Sequence, residues 1–435
     1  MSLGGHIRAE VAFAANVNTQ QMDGDPWLTL DDGVQGRLDE GNVLPGAVWV
    51  DLTGWMWGTA GVTLSRGRSR ELDEFQAGTA SFVLNDPDRL FDPTNLYSPF
   101  AGQVRPMRRV RLTAVTGAGQ VRLFSGFVAD WQRRFERGGF PRVTVRCVDV
   151  FERFNMADLP EEGSPVGAGE TSGDRVERVL DAVGFGADRD IDVGLSSLAG
   201  TTFGGSALQA LQAVAGSELG WLFAGRDGTV TFRDRHSVIT SEPTIVFGDR
   251  FVDPYLDGYT AEYPGVEQFG VQFHDVELAS SSDRLFNRVV VVPDSGDEQV
   301  AEASGSQAEF GTRTLRRQVL LDSDDEALDQ ATYLLGVYSA PEDRFSDLTV
   351  KLHDGRLDGQ DRARVLRVDV GDRITVNVTL QGQTLSRDCV VERVEHRRDS
   401  QGWLARFGLS AADTTAYLRL DDDVLGRLDA VRLAY

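Results

Sequence analysis

Several groups of residues in this 435-residue chain are of types that perform chemistry, and their spacing decides whether they can. The five histidines, His6, His236, His274, His353 and His396, suit metal binding or proton transfer, but no two have metal-ligand spacing. Neither a Gly-x-Ser-x-Gly elbow nor His-Glu-x-x-His occurs, so serine-hydrolase and zinc-protease readings lose support. Residues 167–173, Gly-Ala-Gly-Glu-Thr-Ser-Gly, precede a helical pattern as a phosphate loop does, yet they lack the phosphate-binding Lys and read as a linker. The carboxylates of 85–93 could ligate calcium, but the Gly and terminal Glu of an EF-hand loop are missing. Asx turns around two prolines explain them better.

Paired acids raise glycoside hydrolysis, which needs two carboxyls set across a sugar bond in distinct environments. Asp31 with Asp32, Asp324 with Asp325, and Asp421 with Asp422 and Asp423 are instead adjacent acids on polar segments, the ordinary solvated kind. Trp27, Trp55, Trp57 and Trp131 could stack on sugars, and read more simply as core or interface anchors. Cys147 and Cys389, each inside an apolar alternation, read as buried reduced thiols. No catalytic residue, metal site or cofactor is assigned, and the chain reads as a non-enzyme.

The elements that would position any site follow from composition and period. At roughly 150 residues per domain the length suggests about three domains. Lys and Arg total 44 against 67 Asp and Glu, so the formal charge is −23 and nonspecific DNA binding is disfavoured. No signal peptide and no run of about 18 apolar residues is visible, which disfavours secretion and membrane spanning. Period-two alternation over 7–13, 48–52, 79–84, 109–115, 121–128 and 143–148 predicts an all-β unit, residues 1–155. Residues 156–255 read as a small α+β unit: one helix ends before Gly184, a second is capped by Ser206, and a hairpin turns at Asp227-Gly228. Alternation returns over 287–292, 316–321, 348–352, 373–380 and 390–394, giving a second β unit, residues 256–412. A helix capped at Ser323 is expected to cover it.

Two repeats stand out. The pattern of 110–115, 124–135 and 143–149 is echoed by 374–379, 389–398 and 404–410, each copy ending in a long hairpin. The fold expected is therefore mainly β with a smaller α+β part: two related β-barrel domains with an inserted α+β domain. The other repeat is one of identity. Residues 27–39 recur as 417–429, matching at nine of thirteen positions.

The stretches 66–80, 84–95 and 105–111, continued by 123–128, 206–211, 232–236 and 420–435, resemble the minor tail proteins of long-tailed, non-contractile actinobacterial phages. The resemblance covers nearly the whole chain except 20–46, which looks like an insertion. It implies a structural virion protein of tail-tip, baseplate-hub type. Such a protein is a homotrimer that closes the tail tube, anchors receptor-binding or fibre proteins for host attachment, and forms part of the DNA ejection conduit. The partners implied are a distal tail protein or tail tube ring, the tape measure protein and passing DNA without specific binding. Assembly is implied in the host cytoplasm, a reducing compartment, and the short tail at 413–435 leaves no room for an appended hydrolase. A sixfold distal tail ring protein is the alternative, and a tail-associated glycan-cleaving or carbohydrate-binding protein is the alternative from another class.

The identity repeat has the chemistry of a docking tag. Leu28 and Leu30, like Leu418 and Leu420, share one face of an extended strand and can enter a groove by strand addition. Asp31, Asp32, Asp421 and Asp422 would meet N–H groups or Arg at its rim, and Gly36 and Gly426 permit the turn that follows. Replacing Leu28 and Leu30, or Leu418 and Leu420, by Ser is expected to weaken binding to a neighbouring tail protein while sparing self-assembly. Pull-down and sizing of each double variant check it, and loss of assembly with unchanged partner affinity would refute it.

Overall fold

The structure is a computed structural model that describes residues 5–13, 49–135, 137, 139–160, 164–202, 204–249, 270–280, 282–380 and 383–412. Alternating apolar residues in the first third fold into strands: β1 (His6–Ala12), β2 (Trp49–Asp51), β3 (Val62–Gly67), β4 (Gln76–Asn85), β5 (Arg109–Thr116), β6 (Gly119–Arg134) and β7 (Arg142–Val148), of which all but β3 were expected. Strands β5, β6 and β7 form an antiparallel meander flanked by β1 and β4. Residues 49–57 close it. They pair with β1 at one end, and at the other Trp57 donates to the Val83 carbonyl of β4. The barrel interior is apolar and aromatic, with Phe13, Phe91, Phe100 and Trp131 stacked at one end.

A helix, α1 (Val150–Met156), leaves this barrel and leads to β8 (Glu170–Thr171), α2 (Ser172–Ala182), β9 (Arg189–Ile191), β10 (Ser197–Leu198), α3 (Ala207–Glu218), β11 (Trp221–Ala224), β12 (Val230–Arg233) and α4 (Arg235–Thr240). Both predicted helices are present. Ser206 and Gln209 form a complete capping box on α3, and Gly184 adopts positive φ just past α2. The expected hairpin is β11–β12, with β9 added in parallel to β12.

The second β unit differs from expectation in one respect. Strands β13 (Ile245–Gly248), β14 (Val271–Gln272), β15 (Asp275–Ser280), β19 (Asp343–Lys351), β20 (Arg373–Leu380), β21 (Gln383–Asp399) and β22 (Gly402–Ala411) build a barrel around a β20–β21–β22 meander. It closes through 271–280, which pairs with β13 and then with β19. Residues 288–319, expected to continue that barrel, form a separate sheet: β16 (Arg288–Pro293), β17 (Gln299–Glu302), α5 (Ser304–Phe310) and β18 (Thr314–Val319), ordered β17-β16-β18. The predicted Ser323-capped helix, α6 (Asp324–Tyr338), packs on β16 and β17, and its last turn meets Arg344 of β19. The reason lies in β16, whose Val289, Val290 and Val291 are all buried. A strand apolar on both faces needs a layer on each side. The last helix, α7 (Gly359–Arg367), lies over β5 and β6.

The two meanders share a detail that the sequence pattern did not reveal. The β6–β7 register shifts between Val128 and Asp130, and the β21–β22 register between Val391 and Arg393, so each long hairpin bends at an equivalent bulge. Cys147 and Cys389 are buried and free, and burial raises both thiols, Cys389 to about 12.

Asp149 caps α1, accepting from Phe151 N and, at 2.6 Å, from Gly78 N of β4. Burial pushes its carboxyl up to about 7, against the pull of those two bonds and of Arg66. The group's contribution to stability is full below its ordinary 3.8 and is lost as pH rises through about 7. Asp149→Asn is therefore expected to flatten the fall in melting temperature between pH 5 and pH 8. Parallel profiles for wild type and variant would show that this residue does not set it.

Candidate functional site

The clusters that could have carried chemistry are held in structural roles. In the 85–93 loop Asp86 accepts from Leu90 N and Phe91 N, and Asp92 binds Arg89, Arg133 and Thr94. Those carboxylates make Asx turns and ion pairs, and the Arg and backbone contacts draw Asp92 well below the usual carboxylate range despite the opposing desolvation. The Gly167–Gly173 segment wraps a fully buried Arg175, which binds Glu170, Thr201 Oγ1 and the carbonyls of Gly167 and Ala199. Trp131 lies in the first barrel and donates to the Arg105 carbonyl, Trp55 meets Phe91 edge-on, and Arg142 stacks on Trp57. Asp324 accepts from Asp297 N at the start of α6. Among the described residues no three His, Cys, Asp or Glu side chains are arranged to hold a metal ion.

Leu28, Leu30, Asp31, Asp32 and Gly36, with Leu418, Leu420, Asp421, Asp422 and Gly426, lie outside the described residues, as do Trp27 and Asp423.

The residues that the tertiary structure does bring together are at the seam between the barrels. Strand β3 pairs antiparallel with β4 on one edge and with the distal half of β21 on the other, so both barrels belong to one fourteen-stranded sheet. The β3–β4 register shifts between Ser65 and Gly67, and the displaced residue, Arg66, turns into the interior. Its guanidinium reaches three different parts of the molecule: the Leu123 carbonyl of β6, the Ala224 carbonyl of β11, and Asp369 Oδ1 at 2.5 Å beside the second barrel. Arg68 forms a two-point pair with Glu392, the buried bulge residue of β21, and lies over the rings of Phe75 and Trp221. Glu71, raised by burial, ties the β3–β4 loop to Arg344 of β19 and Arg284.

His396 belongs to the same seam and faces the core opposite Leu64. Burial, with Arg66 nearby, lowers it to about 3, so it is a neutral core histidine.

The outer face of the seam forms a trough of about 880 Å³. Its floor is Thr63, Ser65, Thr79 and Ser81, whose short side chains leave the depression between taller charged rims. Of the four acids that line it, two are in ion pairs, Asp347 with Arg393 and Arg406, each at 3.1 Å, and Glu395 with Arg393 at 3.0 Å. The arrangement suits a polar protein contact surface.

Sequence reasoning singled out 66–80 without a physical role for Arg66, Arg68, Glu392 or Asp369. The available signal was a Gly between two Arg inside a strand pattern, which marks a bulge or a close backbone approach.

No protein-family model matches the sequence, and no curated protein matches it. Solved structures do. The 43 kDa tail protein of prophage MuSo2 from Shewanella oneidensis is similar at 13% identity over 84% of this chain and 94% of that one, with a TM-score of 0.54. The tail protein from Neisseria meningitidis MC58 is similar at 14% identity over 85% of this chain and 94% of that one, also at 0.54. At such identities the likeness is one of fold.

Gly67 is a residue the seam cannot exchange. It has φ of +107°, and an added Cβ would overlap the Glu392 carbonyl oxygen. Gly67→Ala is expected to cost about 2 kcal/mol or more and to lower the urea midpoint of unfolding. A midpoint equal to wild type would show that the β3–β21 pairing is not as tight as described.

Proposed function

We propose that the chain is a structural, non-enzymatic component of a phage tail, of the tail-tip hub type, working as a homotrimer in the virion. The observation that carries this reading is internal duplication. One chain holds two barrels with the same meander and the same bulge, joined edge to edge through β3. Three such chains present six equivalent lobes, the number needed to meet a sixfold tail tube, and a symmetric ring is the ordinary way to close such contacts. The shared fold with the two tail proteins supports the assignment to a tail.

In this reading the ring closes the tail tube, sits beside a distal tail protein or tube ring and the tape measure protein, and anchors receptor-binding or fibre proteins. The two Leu-Asp-Asp segments dock such neighbours. The net charge of −23 suits a conduit, because an acidic wall keeps phosphate backbones from adhering as DNA passes. Among the described residues no helix is long and apolar enough to cross a membrane.

Native mass measurement of the purified full chain tests the proposal. Three chains per particle are expected. Six chains would instead favour the distal tail ring protein, and reproducible release of cell-wall fragments by the pure protein would favour the glycan-cleaving reading.

A further inference from the structure

The second barrel closes by a change of partner. At β14 Gln272 is level with Gly248 of β13, and two residues later the chain has crossed to β19, where His274 N donates to the Thr349 carbonyl at 2.7 Å. A cavity of about 240 Å³ lies at this crossing, between the end of β13, the 272–274 segment, the end of β19 and the turn before α7. Pockets for drug-sized molecules start at roughly 300 Å³, so there is room for one small group. Phe273 and the buried Leu357 supply its apolar lining.

The polar lining is unevenly occupied. Asp249 accepts from Thr379 N at 2.6 Å and from Thr379 Oγ1 at 3.0 Å. Asp354 accepts from Arg356 N at 3.0 Å and lies 3.9 Å from Arg356 Nε. Among the described residues the side chains of Gln272, His274 and Lys351 make no hydrogen bond or ion pair. Leu404, the residue across from Lys351 on β22, offers the ammonium no counter-charge. The carboxylates of the cavity are therefore engaged, and three groups able to donate are not.

We infer that this cavity binds the phosphodiester group of a small polyol, with Lys351 supplying the charge and Gln272 and His274 the further N–H donors. Lys meets a phosphate as a point charge, whereas a planar carboxylate is matched by the fork of an Arg. A tetrahedral group also accepts from several sides, as donors carried by two different strands and the crossing between them require. Lys351 and Arg356 balance Asp249 and Asp354 in formal charge, so a singly charged diester suits the cavity better than a dianion, whose second charge would stand near two carboxylates. Nucleic acid is a poor source of the diester, because a chain of net charge −23 repels a polyanion. Glycerol phosphate chains and the headgroup of an anionic glycerophospholipid share the required chemistry.

Lys351 is the sole lysine, which gives the test a single reporter. Reductive methylation of the full chain with ¹³C-formaldehyde labels that side chain and the terminal amine and keeps their charge. Lys351→Arg identifies the side-chain resonance by its loss. Glycerophosphoglycerol is expected to shift that resonance along a saturating curve with a half-point in the millimolar range, and calorimetry on the unmodified chain to give the same half-point. Gln272→Ala and His274→Ala retain the label, and each is expected to weaken binding roughly tenfold. Lys351→Gln, read by calorimetry, is expected to abolish it. A response to glycerophosphoglycerol without one to phosphatidylglycerol vesicles assigns the glycerol phosphate chain, and a response to both assigns the headgroup; either upholds the site. An unmoved Lys351 resonance overturns it, as does a half-point unchanged in both alanine variants. Acetate binding as tightly as the diester overturns the phosphate assignment.

Discussion

Strand β3 is hydrogen-bonded on its two edges to strands of different barrels, and that double use fixes how the rest of the molecule is put together. Two barrels that share a strand cannot swing about a linker, since their relative orientation is set by a ladder of backbone bonds. The shared strand must also give both neighbours close approach, which Gly67 provides by carrying no side chain against the Glu392 carbonyl. The bulge beside it drives Arg66 inward, and a buried guanidinium has to be compensated. Leu123, Ala224 and Asp369 do so from three separate regions.

Arginine recurs in this role for a geometric reason. Its planar fork satisfies several acceptors at once and stays charged when buried. Arg66 and Arg68 join the barrels to each other and to the α+β part, Arg175 holds the Gly167–Gly173 segment against α2, and Arg344 joins β19 to Glu71. The acids in these contacts are Asp369, Glu392, Glu170 and Glu71.

The equivalent bulges show how a duplicated barrel can be kept while its surroundings diverge. Ala129 and Glu392 occupy the same place in the two meanders, and both bend the long hairpin that follows. Only Glu392 meets an Arg, Arg68, just past the end of the shared strand; Ala129 has a small apolar side chain there. The second barrel also accommodates the β16–β18 sheet and α6 between β15 and β19, two strands that remain paired, because the excursion begins and ends at the same edge.

Local signals were legible in the sequence. Period-two alternation located both meanders, Ser206 and Gly184 marked helix ends, and the pattern repeat revealed two related barrels, because side-chain period and capping depend only on near neighbours along the chain. The absence of hydrolase motifs was equally readable. Which strands pair across long separations was not, since alternation states that a strand has a buried face without saying against what. Residues 288–292 alternate or run apolar as barrel strands do, and only packing assigned them to a separate sheet with α6. The same limit hid the seam: Arg66 and Asp369 are 303 residues apart, and Arg68 and Glu392 are 324 apart. Their types announced charge, but the β3 bulge decided which way Arg66 faces, and the β21 bulge decided what Arg68 meets.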